Sequence, residues 1–172
     1  MRADHLLASD DALIAQCEVD RYRASGPGGQ HRNKTDSAVR LRHKLSGVSA
    51  IGEDSRSQNE NKMHAVRRLR SAIALQIREP VTLETFTASP RLAALVANGT
   101  APLGARTRHT GEYWAGMAEL LDLLVAGGLE IGTTAQRLGM STGALSKLLL
   151  HDDQVARVVN DLRRARGLRP LR

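Results

Sequence analysis

The sequence predicts an α+β fold, in which a small sheet packs on one long helix and an all-α region follows. Residues 37–43 alternate so that Val39 and Leu41 share one face, as in a half-buried strand. Residues 57–60, Ser-Gln-Asn-Glu, form a capping box, which marks the start of a helix. Apolar residues recur at helical spacing again from residue 112 onward. The strand and the long helix together indicate a small α+β unit near the amino terminus.

The predicted elements of the first 80 residues follow one another closely. A short helix over 9–16 is capped by Ser9 and carries acids in its first turn, as helix amino termini favour. A strand over 17–23, the strand over 37–43, a turn over 44–47 and a returning strand over 48–51 come next. The long helix then buries Met63, Val66, Leu69, Ile73 and Ile77, and Pro80 stops it. We expect residues 1–80 to form one domain.

The remaining chain divides into two expected parts. Residues 81–111 are interpreted as a connector with a short helix that starts at Ser89-Pro90. Residues 112–172 are expected to be helical, with Thr133 or Thr134 capping residues 135–138 and Ser141 capping the next helix. A last helix is expected from about Asp153 to Arg166. The pattern of helix, Gly139, apolar residue, Ser141 and helix resembles a helix-turn-helix.

The balance of charge favours a polyanionic partner. The 172 residues carry a net charge of +7 and a pI near 10.5, and nucleic acid is the usual partner of so basic a chain. One cluster is Arg21, Arg23, Arg32, Lys34, Arg40, Arg42 and Lys44, with Asp36 as the only acid between them. A secondary basic patch comprises Arg163, Arg164, Arg166 and Arg169, which could contact phosphates or form a solvated helix end.

Several classes of protein are disfavoured by composition. The single cysteine, Cys17, permits no disulfide within one chain. The six histidines show no spacing typical of metal ligands, so we expect neither a metal nor a cofactor. No apolar run suggests a signal peptide or a membrane span. We therefore expect a cytoplasmic protein without a membrane partner.

A glycine-rich basic segment, Ser25-Gly26-Pro27-Gly28-Gly29-Gln30-His31-Arg32, is the strongest functional signal. Glycines admit backbone shapes closed to other residues and allow a bulky group close to the main chain. The main-chain N–H of Gln30 could then stabilise the negative charge that develops when water attacks an ester. The Gln30 side chain does not titrate near neutral pH, so it can position water but cannot act as a general base.

The longer string around this segment resembles the catalytic loop of bacterial class I peptide chain release factors. It runs from Tyr22-Arg23-Ala24-Ser25 through the Gly-Gly-Gln to Ala38-Val39-Arg40-Leu41. The similarity continues in Ser55-Arg56-Ser57-Gln58-Asn59-Glu60-Asn61-Lys62 and covers about residues 15–78. It implies that the segment enters the large ribosomal subunit, where water cleaves the ester joining the nascent peptide to tRNA.

The resemblance assigns roles to individual residues. Gln30 would be the catalytic residue, with Gly28 and Gly29 shaping the backbone. Residues expected to contact ribosomal RNA or the tRNA end are Arg21, Arg23, Ser25, His31, Arg32, Asn33, Lys34, Thr35, Arg40 and Arg42. Arg56, Gln58 and Lys62 would support the loop.

Two departures from the release factor pattern shape the functional expectation. No segment matches a codon-recognition loop, and Arg32 replaces the small apolar residue usual after Gln-His. The leading hypothesis is therefore a codon-independent peptidyl-tRNA hydrolase that acts in translation termination or ribosome rescue. Its partners would be large-subunit rRNA and peptidyl-tRNA, and a recruiting protein is left open.

Two alternatives remain open at this stage. One is a ribosome- or RNA-binding factor without catalysis. The other is a DNA-binding regulator that uses Thr142, Ser146 and Lys147 of the second helix in the helix-turn-helix-like region. That face lacks the Arg, Asn and Gln side chains that usually read bases, so sequence-specific DNA binding is not favoured.

Overall fold

The computed structural model describes residues 1–22, 37–97 and 110–172, which form one three-stranded sheet and eight helices. The mixed α+β class is therefore confirmed. The chain divides into two units, Met1–Ile77 and Arg78–Arg172. In chain order the elements are α1 (Arg2–Leu7), α2 (Asp10–Ala15), β1 (Cys17–Tyr22), β2 (Ala38–His43), β3 (Ser49–Gly52), α3 (Gln58–Gln76), α4 (Pro90–Ala97), α5 (Gly111–Ala126), α6 (Ile131–Arg137), α7 (Thr142–Leu150) and α8 (Asp153–Ala165).

The sheet of the first unit is antiparallel, in the order β1-β2-β3. Its central strand β2 shows the alternation read from the sequence. Val39 and Leu41 are buried, whereas Arg40 and Arg42 are exposed. Since side chains alternate between the two faces of a strand, the arginines lie on the outer face of the sheet.

Helix α3 covers the inner face, and the expected capping box begins it. The Ser57 hydroxyl accepts a hydrogen bond from the Glu60 backbone N–H at 3.3 Å. The Ser55 hydroxyl bridges the Glu60 carboxylate and the Ser57 main chain. It donates a hydrogen bond to the carboxylate and accepts one from the Ser57 N–H at 3.0 Å. The helix ends at Gln76, with Ile77 as its C-cap, ahead of the predicted stop at Pro80.

One glycine sets how closely the helix approaches the sheet. A Cβ placed on Gly52, at the end of β3, would lie 1.9 Å from the Asn61 carbonyl oxygen of α3. Only a residue without a side chain fits there. Backbone contact between sheet and helix therefore depends on this position.

A buried arginine joins the two amino-terminal helices to α3. Arg70 is 7% exposed and donates to the carbonyl oxygens of Leu6 (3.2 Å) and Ala8. Its guanidinium also pairs with the Asp10 carboxylate. Leu6 and Leu13 complete the contact as fully buried side chains. The capped α2 was expected from Ser9, whereas α1 has no comparable signal in the sequence.

Two histidines share one amide oxygen beneath the sheet. Gln16 Oε1 lies 2.6 Å from His5 Nδ1 and 3.2 Å from His43 Nε2. The Ser46 backbone N–H donates to His43 Nδ1 at 3.3 Å, so the neutral ring carries its proton on Nε2. His43 is fully buried. Burial, followed by the charge of His5, lowers the pKa of His43 below its ordinary 6.5.

Acidification is therefore expected to destabilise the first unit. Below pH 6.5 the unfolded chain binds a proton at His43 before the folded chain does, so the free energy of unfolding falls as the pH falls toward the folded pKa. The urea midpoint should fall between pH 7.5 and pH 5.5, and His43→Gln should reduce that fall. His151→Gln, which alters an exposed histidine, should leave it unchanged. Equal pH dependence in all three proteins would contradict the assignment.

The second unit is built around α5. Arg78 pairs with the buried Asp122 of α5 at 3.2 Å, and its guanidinium also donates to the Ala118 carbonyl at 3.3 Å. The predicted short helix is α4, and its N-terminal Ser89 hydroxyl bonds to the Glu119 carboxylate of α5. The described part of residues 81–111 thus lies in the second unit, and the three-part domain division stays a prediction.

The predicted start of α6 is wrong. The helix begins at Ile131 with Glu130 as its N-cap, so Thr133 and Thr134 lie inside it. Both hydroxyls donate back to the Glu130 carbonyl, at 3.1 and 2.8 Å. Threonine can satisfy its hydroxyl inside a helix in this way, which makes a threonine an ambiguous boundary signal. The cap at Ser141, the start of α8 at Asp153 and its end next to Arg166 follow the expectation.

Candidate functional site

The strand ends that flank the glycine-rich segment are paired in the sheet. Tyr22, the last residue of β1, pairs with Ala38, the first residue of β2. Residues 23–36 connect these adjacent antiparallel strands and lie outside the described residues. The predicted site residues that fall there are Arg23, Ser25, Gly28, Gly29, Gln30, His31, Arg32, Asn33, Lys34 and Thr35, and their roles stay predictions.

Tyr22 and Glu53 lie together at this stem. Burial raises the pKa of the Tyr22 phenol, and the Glu53 charge and hydrogen bond raise it further. Glu53 follows β3 directly, so its charge acts on Tyr22 from the other side of the central strand.

The three predicted RNA-contacting arginines of the strands do not share one face. Arg40 and Arg42 lie on the outer face, whereas Arg21 pairs in register with the inward-facing Val39. Arg40 Nη2 lies 2.8 Å from Asp20 Oδ2, and Arg42 Nη1 lies 3.8 Å from Glu18 Oε2. Each of these two arginines of β2 therefore lies beside an acidic side chain of β1. Arg21 is exposed at the edge of the sheet.

The predicted loop-support residues lie at the start of α3 and just before it. Arg56 is exposed in the connection from β3, while Gln58 and Lys62 are half-buried in the first two turns of the helix. Arg68, six residues beyond Lys62 in the same helix, pairs with Asp54 at 2.8 Å. The Arg68 hydrogen bond lowers the pKa of the Asp54 carboxyl. This ion pair fixes the β3–α3 connection on which Arg56 lies.

Sequence reasoning missed Asn61 as a site residue. Its side chain is fully buried and forms three hydrogen bonds with main-chain groups of Ser37 and Ser55. Ser37 is the first described residue after the glycine-rich segment. The available signal was an amide at a helix position that faces the sheet. Periodicity alone does not separate such a residue from exposed neighbours such as Asn59.

Three of the four residues in the secondary basic patch bond within the protein. Arg163 donates to the carbonyl oxygens of Leu129 and Arg169. Arg164 pairs with Asp161 at 2.9 Å, and Arg166 makes a long 3.5 Å contact with the Val125 carbonyl. Arg163 therefore has a structural role at the end of α8. Contact of this patch with phosphates stays a prediction.

The helix-turn-helix-like region forms the helices α6 and α7. Ser141 caps α7 by accepting from the Ala144 N–H at 3.1 Å, and Gly139 takes a positive φ of 65° in the turn. Leu145 and Leu148 are buried, while Thr142 and Lys147 are exposed and Ser146 is half-buried. The three suggested base readers thus lie on accessible parts of α7.

Within residues 1–22, 37–97 and 110–172, no group of three or more His, Cys, Asp or Glu side chains is arranged to hold a metal ion. Among the helices in those same ranges, none combines the length and apolarity needed to cross a bilayer.

Comparison with known proteins shows similarity to peptide chain release factors. Residues 13–93 match the family model described as the RF-1 domain. The chain is 42% identical over 101 residues to peptide chain release factor 1 of Methylibium petroleiphilum, covering 55% of this chain and 28% of that protein. It is 52% identical over 63 residues to peptide chain release factor 2 of Acidithiobacillus ferrooxidans, covering 37% of this chain and 17% of that protein.

A third relative gives the same result. Peptide chain release factor 1 of Acetivibrio thermocellus is 51% identical over 61 residues, covering 36% of this chain and 17% of the relative. The chain thus spans less than a third of the length of these relatives. The similarity concerns one of their domains.

Proposed function

Because residues 13–93 belong to the RF-1 domain family of class I release factors, we propose that this chain hydrolyses the peptidyl-tRNA ester on the ribosome without reading a codon. The observation that carries the proposal is the Gly28-Gly29-Gln30 motif within the matched domain. The paired residues Tyr22 and Ala38 support it, since they bring together the two strand ends that flank residues 23–36. Such an activity requires a cytoplasmic protein with large-subunit rRNA and peptidyl-tRNA as partners.

The proposed chemistry uses water as the nucleophile and Gln30 as the catalytic residue. Water adds to the ester carbonyl carbon, the bond to the tRNA ribose oxygen breaks, and that oxygen leaves with a proton. Negative charge develops on the carbonyl oxygen and then on the leaving oxygen. The Gln30 main-chain N–H stabilises it, a contribution of about 100- to 1000-fold in rate for one such donor.

Replacement of Gln30 tests catalysis. Gln30→Pro removes the main-chain N–H, so release from ribosomes loaded with labelled peptidyl-tRNA should slow by about 100-fold or more. Gln30→Ala keeps that N–H and loses only the side-chain amide, so it should retain more activity than the proline variant. Gln76→Ala, at an exposed position of α3, is the matched control and should behave as the unmodified chain.

The outcomes separate the proposal from its alternatives. Undiminished release by Gln30→Pro would remove Gln30 from the mechanism. Tight ribosome binding without release by the unmodified chain would select a non-catalytic ribosome-binding factor. Saturable, sequence-dependent binding of the full chain to duplex DNA, without ribosome binding, would select a DNA-binding regulator.

Codon independence has its own experiment. The alignments cover 17–28% of the length of these release factors, so codon reading is tested directly. We expect equal release rates with a stop codon, a sense codon or no mRNA in the A site. A rate at least ten-fold higher with one stop codon would contradict this part of the proposal.

A further inference from the structure

The side chain of Asn61 forms hydrogen bonds through both ends of its amide. Its Oδ1 accepts from the Ser55 backbone N–H at 2.8 Å. Its Nδ2 donates to the carbonyl oxygens of Ser37 and Ser55, both at 2.7 Å. Both donor hydrogens are therefore used, and the residue is fully buried. A buried amide satisfied in this way is held in one orientation.

The three bonds join segments that are far apart in the chain. Ser37 lies immediately before β2, Ser55 lies between β3 and α3, and Asn61 belongs to the second turn of α3. The Asn61 main chain is also fixed, because its N–H bonds to the Ser57 carbonyl at 3.0 Å and its own carbonyl lies against Gly52. Asn61 thus transmits the position of a 19-residue helix to the chain at Ser37.

We propose that Asn61 is a positioning residue for the ester hydrolysis, since its amide fixes the point at which the segment carrying Gln30 returns to the sheet. The inference rests on the proposed function. A catalytic donor acts only when it is held within about 0.5 Å of its productive position, and a displacement of 1 Å costs roughly 100-fold in rate. The Tyr22–Ala38 pair joins the two strand ends, and Asn61 in addition holds Ser37, the residue immediately before Ala38.

If Asn61 positions the catalytic segment, its replacement should lower the rate of peptide release without changing the affinity for the ribosome. Asn61→Asp keeps the shape and the acceptor oxygen but removes both Nδ2 donors, which leaves the Ser37 carbonyl without this bond. Asn61 is fully buried, so the substitution leaves the exposed cations of the chain unchanged and ribosome affinity should persist. A residue that only stabilises the fold would leave the rate per folded molecule unchanged.

The experiment measures single-turnover peptide release over a range of protein concentrations, at a temperature where circular dichroism shows each protein folded. For Asn61→Asp we expect the rate at saturation to fall about 10- to 100-fold, with the half-saturating concentration within about three-fold. Asn59→Asp makes the same chemical change at an exposed position of the same helix and should keep the normal rate. Asn61→Ala, which removes the amide without adding a charge, should repeat the loss of rate.

Each result is decisive for one proposal or the other. If the unmodified chain releases peptide and folded Asn61→Asp does so at the normal saturating rate, the positioning role is overturned and the proposed function stands. A normal rate with a raised half-saturating concentration also overturns it, in favour of a binding role. Failure of both Asn61 variants to fold would assign a structural role alone. If the unmodified chain shows no release, the proposed function itself fails.

Discussion

Gly52→Ala is expected to lower the free energy of unfolding of the first unit by about 3 kcal/mol or more. The added methyl carbon would lie 1.9 Å from the Asn61 carbonyl oxygen, 2.8 Å from its carbonyl carbon and 3.0 Å from the Ala65 nitrogen. All three atoms belong to the main chain of α3, so no side-chain rotation relieves the overlap. The helix has to move away from the sheet, which opens the core around Val39 and Val66.

Chemical unfolding followed by circular dichroism measures the effect. Gly143→Ala is the control, because a Cβ at Gly143 meets no atom within 4 Å and alanine is the better helix former by about 1 kcal/mol. That variant should be as stable as the unmodified chain or more so. A Gly52→Ala protein within about 0.5 kcal/mol of the unmodified chain would show that the sheet and helix can separate at little cost.

Arg70→Met should have the second largest effect, also near 3 kcal/mol. The substitution retains apolar volume but removes the donors to the Leu6 and Ala8 carbonyls and the partner of Asp10. Buried acceptors without a donor lose their hydration on folding and gain nothing in exchange. We expect α1 and α2 to detach from α3 before the sheet unfolds.

Thermal unfolding and amide hydrogen exchange of residues 2–15 test this prediction. Arg67→Met changes an exposed arginine of the same helix and should cost less than about 0.5 kcal/mol. Arg70→Lys should rescue only part of the loss, since one ammonium cannot reproduce the planar set of guanidinium donors. Equal stability of the Arg67 and Arg70 variants would contradict a structural role for the buried guanidinium.

Local signals predicted most of the first unit. The alternation of β2 and the cap at Ser57 each depend on a few neighbouring residues, so the sequence contains enough information to find them. The start of α6 was misplaced because Thr133 and Thr134 bond equally well inside a helix. Helix α1 was missed because six residues after Met1 offer too short a window for periodicity.

Non-local contacts explain what the sequence could not predict about the site. Asn61 acquires its importance from Ser37, 24 residues away, and no spacing rule connects the two. Similarly, Arg40 and Arg42 were expected to face RNA, and the alternation correctly predicted that they point away from the core. Their pairing with Asp20 and Glu18 depends on strand register, which the sequence did not reveal. The roles of residues 23–36 depend on the motif and on family membership.

That cross-strand pairing has a consequence for how the protein meets a polyanion. Two arginines and two carboxylates alternate on neighbouring strands, so the local charges of these four groups sum to zero. A phosphate that binds there displaces a carboxylate of the protein and releases few counterions. Since counterion release makes nucleic-acid affinity steeply dependent on ionic strength, binding at this surface would contribute little salt dependence. Under the proposed function, long-range attraction toward RNA would consequently originate from other cations of the chain, since the outer surface of the sheet is electrically near neutral at these four groups.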